Sequence, residues 1–335
     1  MRIREMGVTV GRMATGPLNR ISDVPGVTVG HCTLDEGDVK TGVTVVMPSE
    51  DNPFENKLTA AAHVLNGFGK TLGLMQIGEL GVIETPIALT NTLSVGDVHA
   101  AMVEYMLART GGGFTSINPV VCECNDAYLN DIRRRAVRKE HLLRAIADAR
   151  ADFAEGDVGA GKGMSCHGLK GGVGSASRIV PLREGDFTLG VLTLTNHGRL
   201  EDLRIGGAPV ADLAPAAEIE RGSCIAIVAT DLPLTDRQLH RAIRRAGVGL
   251  IRLGSFIGHG SGEVMLGFST ANRIPGEARA DILPLRALRE DRMDAVFRAV
   301  AEATEEAILN SMAAAGDVTG YLGHKRQSLA SYLKR

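Results

Sequence analysis

The sequence contains no tryptophan, and aromatic residues make up only 4% of its 335 residues. Its core must therefore be built mainly from valine, isoleucine, leucine, alanine and methionine. A formal net charge of −2 gives no electrostatic basis for binding nucleic acid or an anionic membrane surface. The chain also lacks an apolar run of the roughly 18 residues that a membrane-spanning helix needs. These deficits favour a globular protein with neither nucleic acid nor a membrane as partner.

The N-terminal segment lacks the features of a secretory signal. It begins MRIREMGVTVGRM, with charges at Arg2, Arg4 and Glu5 and no apolar core. Cysteine is scarce, and five is an odd number, which without an export signal favours free thiols in a reducing compartment. The sequence thus predicts a cytoplasmic protein.

Familiar cofactor and metal motifs are missing from the sequence. The segment GFGKT at 67–71 resembles half of a phosphate-binding loop, but the full pattern requires a glycine where Val64 stands. The histidines follow no HExxH pattern, and the cysteines follow no paired CxxC pattern. The sequence therefore predicts no metal site and no cofactor.

Glycine is the residue in excess, at 41 of 335 positions. It is dense in the connector 156–174, which reads GDVGAGKGMSCHGLKGGVG. Such a segment is either a flexible loop or a backbone that lies close to another part of the molecule.

Short β-branched runs alternate with longer helical patterns. The predicted strands are Val43–Met47, Val82–Thr90, Pro119–Cys122, Thr188–Thr195, Ser223–Thr230 and Val264–Thr270. The predicted helices are Gly96–Ala108, Ala136–Ala151, a helix that starts at the capping box 235–238, and Asp291–Ala315. The irregular spacing of the strands favours an α+β sandwich, with helices covering central sheets, over a Rossmann fold.

Three segments in the second half of the chain place polar residues beside apolar strands. In ERGSCIAIVATDLPL, Gly222 and Ser223 stand directly before such a strand. In GHGSGEVMLGFST, Ser261 and Glu263 are two residues apart, so both side chains leave an extended strand on the same side. In LTLTNHGR, Asn196 follows an apolar strand, where its amide can point into a cleft. Together these residue types indicate chemistry on an amide bond.

A nucleophilic Ser223 needs a base, and no histidine has an obvious place beside it. If the bond between Gly222 and Ser223 were cut, Ser223 would gain an α-amine, whose ordinary pKa of about 7.7–8.0 suits a general base at neutral pH. Gly222 suits the scissile position because a residue without Cβ lets the serine oxygen approach its carbonyl and tolerates a strained backbone. Ser223 would then be an N-terminal nucleophile.

The order of several segments resembles peptidase family S58, which includes the L-aminopeptidase/D-esterases and the β-peptidyl aminopeptidases. The matching segments, in chain order, are GPLNRISDVPGVTVGHCTL at 16–34, KTGVTVVMP at 40–48, NGFGKTLGLMQIGELGVIETPIALTNTLSVGDVHAA at 66–101, VVCECNDAYLND, GAGKGMSCHGLKGGVGSASRIV, LTLTNHGR, GSCIAIVATDLPL and GHGSGE. The resemblance extends nearly from end to end.

The resemblance implies an αββα sandwich, in which helices cover two central sheets, built as a single domain of residues 1–335. It implies self-cleavage between Gly222 and Ser223 into an α chain, 1–222, and a β chain, 223–335, that stay together. It also implies a homo-oligomer of the tetramer type. Such a protein removes N-terminal residues from short peptides, amides or esters as a serine aminopeptidase, without a cofactor.

Catalytic roles are implied residue by residue by the same resemblance. Ser223 corresponds to the nucleophile, with its new α-amine as the base. Ser261 and Glu263 correspond to the pair that positions and polarises the nucleophile. Asn196 corresponds to the asparagine that helps to hold the oxyanion.

Substrate contacts are implied for the segment ECNDA at 123–127. Glu123 corresponds to an acid that pairs with the free amino group of the substrate. Asn125 stands where some relatives carry a tyrosine near the site, and Lys162 and Leu169 of the glycine-dense connector also depart from the family pattern. These departures bear on the substrate rather than on the mechanism.

Two other functions are open at this point. One is an acyltransferase on the same scaffold, similar to the ornithine acetyltransferases, although those enzymes typically use threonine where this chain has Ser223. The other is a binding protein that keeps the scaffold uncleaved. Each residue also has a purely structural interpretation: Ser223 as a turn residue, Asn196 as the cap of a strand, and Glu123 as a member of a buried pair.

Overall fold

The computed structural model describes residues 1–211, 221–277 and 280–334. Its strands are β1 (Thr28–Glu36), β2 (Val39–Met47), β3 (Asn56–Gly67), β4 (Val82–Ile83), β5 (Ile87–Asn91), β6 (Val120–Cys124), β7 (Ser165–Cys166), β8 (Leu169–Lys170), β9 (Gly172–Leu182), β10 (Gly185–Asn196), β11 (Arg204–Ile205), β12 (Ala208–Pro209), β13 (Arg221–Thr230), β14 (Gly260–Pro275), β15 (Val318–Thr319) and β16 (Lys325–Arg326). Its α-helices are α1 (Leu74–Leu80), α2 (Val95–Arg109), α3 (Lys139–Ala147), α4 (Asp236–Ile243), α5 (Ala246–Arg252), α6 (Met293–Ala313) and α7 (Leu329–Leu333).

Two sheets form the centre of the molecule. One has the order β1-β2-β5-β6, and the other has the order β4-β3-β14-β13-β10-β9. Helices α2 and α3 cover the first sheet, and α4, α5 and α6 cover the second. The predicted α+β sandwich of the αββα type is therefore confirmed.

Strand β13 is apolar on both faces because it lies at the centre of this layered arrangement. Ile225 and Ile227 join the core between the two sheets. Cys224, Ala226 and Val228 join the core between the six-stranded sheet and its helices. Alternate residues of a strand point to opposite faces, so a strand covered on both sides reads as an unbroken apolar run.

Most of the predicted elements are present, but two of them differ clearly from the structure, and several elements, among them β1, β3 and β9, were not predicted. The run Val82–Thr90 is not one strand: it divides into β4 and β5, which belong to different sheets. The break contains Pro86, which has no N–H to donate to a ladder. The helix predicted at Ala136–Ala151 is shorter, at Lys139–Ala147. No helix within the described ranges has both the length and the apolar character needed to cross a membrane.

The glycine-dense connector is a packed segment rather than a flexible loop. A Cβ added to Gly172 would lie 2.0 Å from the carbonyl oxygen of Gly156, and one added to Gly174 would lie 2.0 Å from that of Ala307 in α6. These glycines allow the backbone to lie against itself and against the longest helix. Strand β9, which begins at Gly172, was not among the predicted strands because its first residues carry no β-branched pattern.

Candidate active site

Ser223 lies in a central strand with a site residue on each side of it. In the antiparallel pair β10–β13 it stands opposite Asn196, and in the parallel pair β13–β14 it stands opposite Gly262. Its side chain is buried, and its hydroxyl lies next to the thiol of Cys124. The backbone pairing therefore brings together the three segments that the sequence singled out.

Ser261 and Glu263 form a hydrogen-bonded pair on the neighbouring strand. The Ser261 hydroxyl donates to Oε1 of Glu263, as their two-residue spacing predicts. Both side chains are fully buried. Ser261 is in register with Gly222 and Glu263 with Cys224, so the pair flanks the backbone on both sides of Ser223. A carboxylate in this position can orient nearby N–H and O–H groups.

Gly222 is packed too closely for any side chain. A Cβ at this position would lie 2.3 Å from the carbonyl oxygen of Asn196 and 2.8 Å from the Cα of His197. The φ of Gly222 is not positive, so its backbone conformation is one that other residues also adopt. Backbone strain therefore does not explain why this position is a glycine. A glycine is required because the end of β10 lies too close to leave room for a Cβ.

The Asn196 amide is held in one orientation with one N–H to spare. Its Oδ1 accepts a hydrogen bond from the backbone N–H of Ser165 at 3.0 Å, which identifies the oxygen. Its Nδ2 donates to the backbone carbonyl of Asn125 at 2.8 Å. Because an amide nitrogen carries two hydrogens and the described residues accept only one of them, the other is available to a substrate oxygen. Asn125 thus supports the site through its backbone, while its Oδ1 accepts from the N–H of Ala127 at 3.0 Å.

Glu123 lies on β6, which is the edge strand of the four-stranded sheet. The segment ECNDA begins in this strand. Its Oε1 accepts the backbone N–H of Lys70 at 2.8 Å, and its Oε2 accepts the Thr92 hydroxyl. The residue is only 3% exposed. Each carboxylate oxygen can accept a further hydrogen bond, so the group is fixed in place and still able to bind a cation.

Cys124 connects the two sheets at the site. Burial raises the pKa of its thiol well above the ordinary value, the charge of Glu123 adds to the rise, and the neighbouring Ser223 hydroxyl opposes it. Glu263 acts on the same thiol. Cys124 therefore lies among the predicted nucleophile and both predicted acids, and a neutral thiol there keeps the surroundings apolar.

Some supporting residues could not be inferred from the sequence. Asn66 donates from Nδ2 to the carbonyl oxygens of Gly258 at 2.8 Å and Ser261 at 2.6 Å. A Cβ on Gly262 would lie 2.9 Å from the N of Gly69, so the segment 66–70 packs directly on β14. The glycine-rich GFGKT at 67–71 was the available signal, but it matches only half of a phosphate-binding loop and does not by itself indicate support for a carboxylate.

Together these residues supply what transfer of an acyl group requires. A buried hydroxyl lies beside an asparagine with a spare N–H, which is an arrangement suited to stabilising an oxyanion. The carboxyl group of Glu123 lies on the opposing sheet and keeps acceptor positions that suit an amino group.

Comparisons with known proteins agree with this description. Residues 19–326 match the peptidase family S58. The chain is 36% identical to the β-peptidyl aminopeptidase BapA of Sphingosinicella microcystinivorans, over 98% of this chain and 89% of that protein.

Solved structures give the same result. The PH0078 protein from Pyrococcus horikoshii OT3 is 46% identical, with a TM-score of 0.93 over 98% of this chain and 96% of that one. The L-aminopeptidase D-Ala-esterase/amidase from Ochrobactrum anthropi is 34% identical, with a TM-score of 0.92 over 99% and 97% of the two chains. The latter is described as a prototype of the serine aminopeptidases and a variant of the Ntn hydrolase fold.

Proposed function

The chain belongs to peptidase family S58 and is a hydrolase of the aminopeptidase class, and from this premise we propose that Ser223 is its nucleophile after self-cleavage at Gly222–Ser223. The observation that carries the proposal is the register of the central strands. It sets Ser223 between Asn196 and Gly262, next to the Ser261–Glu263 pair.

Self-cleavage is an acyl shift followed by hydrolysis. The Ser223 Oγ attacks the carbonyl carbon of Gly222, the bond from that carbon to the Ser223 nitrogen breaks, and the nitrogen takes up the hydroxyl proton. Water then hydrolyses the resulting ester. The products are a carboxylate at Gly222, which ends an α chain of residues 1–222, and an α-amine at Ser223, which begins a β chain of residues 223–335.

The new α-amine is then the base for turnover. It accepts the proton of the Ser223 hydroxyl as Oγ attacks the substrate carbonyl, and it delivers that proton to the departing amine. The spare N–H of Asn196 donates to the oxyanion. Ser261 and Glu263 position the amine and the hydroxyl, and water releases the acyl group from the ester.

Glu123 binds the free amino group of the substrate. Its carboxylate is held by two donors from the chain and keeps acceptor positions for an ammonium group. This contact accounts for action at the N-terminus of a substrate, since a capped amine would carry no charge to pair with. The exposed Asn125 borders the same region and contributes to the choice of substrate.

The substrates are short peptides, amino-acid amides or esters. The names of the relatives include a β-peptidyl aminopeptidase and an L-aminopeptidase with D-Ala-esterase/amidase activity. A panel of L-, D- and β-aminoacyl p-nitroanilides, each with and without an N-acetyl cap, tests the assignment. We expect release of p-nitroaniline from uncapped members only.

Intact mass under denaturing conditions tests the cleavage. We expect two fragments from the wild type, beginning at Met1 and Ser223, and one intact chain from Ser223→Ala. A matched control is Ser269→Ala, because Ser269 is a buried serine of β14 that donates to the carbonyl of Leu232, away from the site. A wild type that stays whole after long incubation, or a Ser223→Ala chain that is still cut, would contradict the proposal.

The assembly and its location are further parts of the proposal. Large apolar side chains are exposed at Val64, Leu65, Phe68, Met75 and Ile251, and such residues commonly mark contacts between subunits. We expect a tetramer-type homo-oligomer in the cytoplasm. Light scattering during size-exclusion chromatography checks the first expectation, and a mass equal to one chain would contradict it.

A further inference from the structure

A cluster of one thiol and two imidazoles lies behind the proposed nucleophile. The side chains of Cys166, His167 and His197 are buried, and one ligand atom from each lies within 4.8 Å of the other two. The sequence spacing predicts no metal site here, because two of the residues are adjacent and the third is 30 positions further along the chain. The fold brings them together.

The backbone holds the three residues against one another. Cys166 and His167 lie at the hairpin of β7 and β8, where His167 has a φ of 47°, in the left-handed region that non-glycine residues rarely adopt. The N–H of His167 donates to the carbonyl of His197 at 2.7 Å. The two rings meet edge to face, with centroids 5.3 Å apart. The unusual backbone of His167 is therefore coupled to the position of its ring.

The single hydrogen bond recorded for the His167 ring leaves its other nitrogen with a lone pair. Its Nδ1 lies 3.0 Å from the carbonyl oxygen of Arg199, and because a carbonyl only accepts, Nδ1 carries the proton. Nε2 is then a bare acceptor, and it is buried with no hydrogen-bond partner among the described residues. A backbone contact of this kind commonly orients a metal-binding histidine.

The His197 ring lacks hydrogen bonds at both of its nitrogens among the described residues, whereas the His167 ring lacks one at a single nitrogen. Both nitrogens of His197 are buried. Buried polar atoms are rarely left without a partner.

We propose that Cys166, His167 and His197 form a binding site for a divalent transition-metal ion, with zinc as the best fit. Thiolate and imidazole are ligands that zinc prefers, and at bond lengths of about 2.0–2.3 Å they lie roughly 3.5 Å from one another, so a small contraction of the cluster completes the site. Binding replaces the thiol proton of Cys166 with the metal and releases that proton to solvent. Three protein ligands leave a fourth position for water or another donor.

This metal site is separate from the proposed catalytic function. It would position Asn196 and would not contact the substrate or Ser223. Cys166 follows Ser165, and His197 follows Asn196, and these two preceding residues are joined by the hydrogen bond at 3.0 Å. A metal bound to Cys166 and His197 therefore ties together both sides of that contact. It positions Asn196, and it acts on kcat more than on KM.

Metal binding is tested directly on the full-length protein. After growth with added zinc, elemental analysis is expected to find about one zinc ion per chain. Replacement by cobalt is expected to give a thiolate-to-cobalt charge-transfer band in the near ultraviolet. X-ray absorption at the zinc edge on the wild type counts sulfur and imidazole neighbours without any variant. Protein without stoichiometric metal, or zinc without a sulfur neighbour, would overturn the proposal.

Variants and a matched histidine pair sharpen the test. Cys166→Ala and His197→Phe are expected to weaken zinc binding by roughly tenfold or more. The control is His240→Phe, since His63 and His240 also meet edge to face with centroids 5.3 Å apart but belong to no such cluster within the described residues. Equal zinc binding in folded Cys166→Ala would refute the site.

The positioning role has its own measurement. Removal of zinc by dialysis against a chelator is expected to lower kcat roughly tenfold and leave KM nearly unchanged, with recovery when zinc is added back. The binding assays can be repeated in Ser223→Ala, so a failure of the metal site and a failure of the proposed nucleophile are separable. Zinc that binds without any effect on kcat would overturn the link to Asn196.

Discussion

Two regions of this molecule hold buried carboxylates in different surroundings. Behind the six-stranded sheet, the guanidinium of Arg178 on β9 contacts Glu302 at 3.3 Å and Glu306 at 2.7 Å on α6. Burial alone would raise the pKa of Glu306, but the hydrogen bond from Arg4 and the charge of Arg178 lower it below its ordinary value. In this region arginine side chains of the protein itself neutralise the buried carboxylates.

At the candidate site the donors are neutral. Glu123 accepts from a backbone N–H and a threonine hydroxyl, and Asp126 accepts from the amide of Asn130 at 2.9 Å. No arginine or lysine side chain forms an ion pair with either acid among the described residues. The difference indicates that paired charges stabilise the fold behind the six-stranded sheet, whereas Glu123 has no built-in cation among the described residues and can pair with one from outside.

The largest effect is expected from removing the positive charge behind the sheet. Arg178→Met leaves Glu302 and Glu306 buried without the guanidinium that pairs with both. The free energy of unfolding is therefore expected to fall by about 3–5 kcal/mol. Urea unfolding measures the change, and kcat/KM per folded molecule should hold. The control Arg289→Met removes an exposed pair with Asp291 and should leave the free energy of unfolding nearly unchanged, because surface ion pairs contribute little to stability. Equal losses in the two variants would remove the distinction between buried and exposed pairs.

Asp126 is a buried acid with neutral hydrogen-bond donors, and the pH dependence of stability tests its effect. Burial raises the pKa of its carboxyl from 3.8 to about 7, so the folded protein favours the protonated form. Stability from this group is full below the unfolded pKa and is lost as pH rises through 7. Relative to Asp126→Asn, the wild type should therefore lose about 4 kcal/mol between pH 4 and 8. Thermal unfolding over this range measures the change, and a difference that does not vary with pH would contradict it.

The spare N–H of Asn196 is expected to matter for rate rather than stability. Asn196→Ala should lower kcat roughly 10²–10³-fold, as for other oxyanion donors. A suitable control is Asn272→Ala, because Asn272 is a buried asparagine whose amide joins the backbone of Arg286 instead. Steady-state kinetics on a cleaved substrate of the panel compare the two. Equal kcat values would show that Asn196 is only the cap of its strand.

Glu123 should give the smallest of these effects, and it should appear in KM. Glu123→Gln keeps the shape and removes the charge proposed to pair with the substrate amine. KM is therefore expected to rise roughly 10–100-fold with kcat little changed, in line with about 1.5–3 kcal/mol for a charged hydrogen bond. Thr92→Val, which removes only a supporting hydroxyl, should raise KM less. A Glu123→Gln enzyme that gains activity on N-acetylated substrates would support the pairing further, and an unchanged KM would contradict it.

Local patterns in the sequence predicted the parts of the structure that depend on neighbours along the chain. The two-residue spacing of Ser261 and Glu263 predicted a shared direction, and their hydrogen bond agrees with it. The apolar run after Ser223 predicted a strand, and this strand is β13. The αββα arrangement came from the resemblance to a known family, because periodicity alone does not decide how sheets stack.

Contacts between distant segments could not be predicted in this way. Glu123 is held by Lys70 and Thr92, which precede it by 53 and 31 positions, and one of these donors is a backbone N–H that any residue could supply. The Cys166–His197 approach depends on the register of β9 and β10 with the hairpin before them. Such contacts follow from tertiary packing, for which a single sequence contains no local signal.

The place of Gly222–Ser223 inside β13 has a consequence for how the two fragments would behave. Chain ends usually fray at the surface, but this one would be the first residue of a strand paired with β10 on one side and β14 on the other. Because β10 belongs to one fragment and β13 and β14 to the other, the fragments share a sheet and its cores. Exchange of isotope-labelled fragments between molecules should therefore be no faster than global unfolding, so each molecule would keep its original pair for its lifetime.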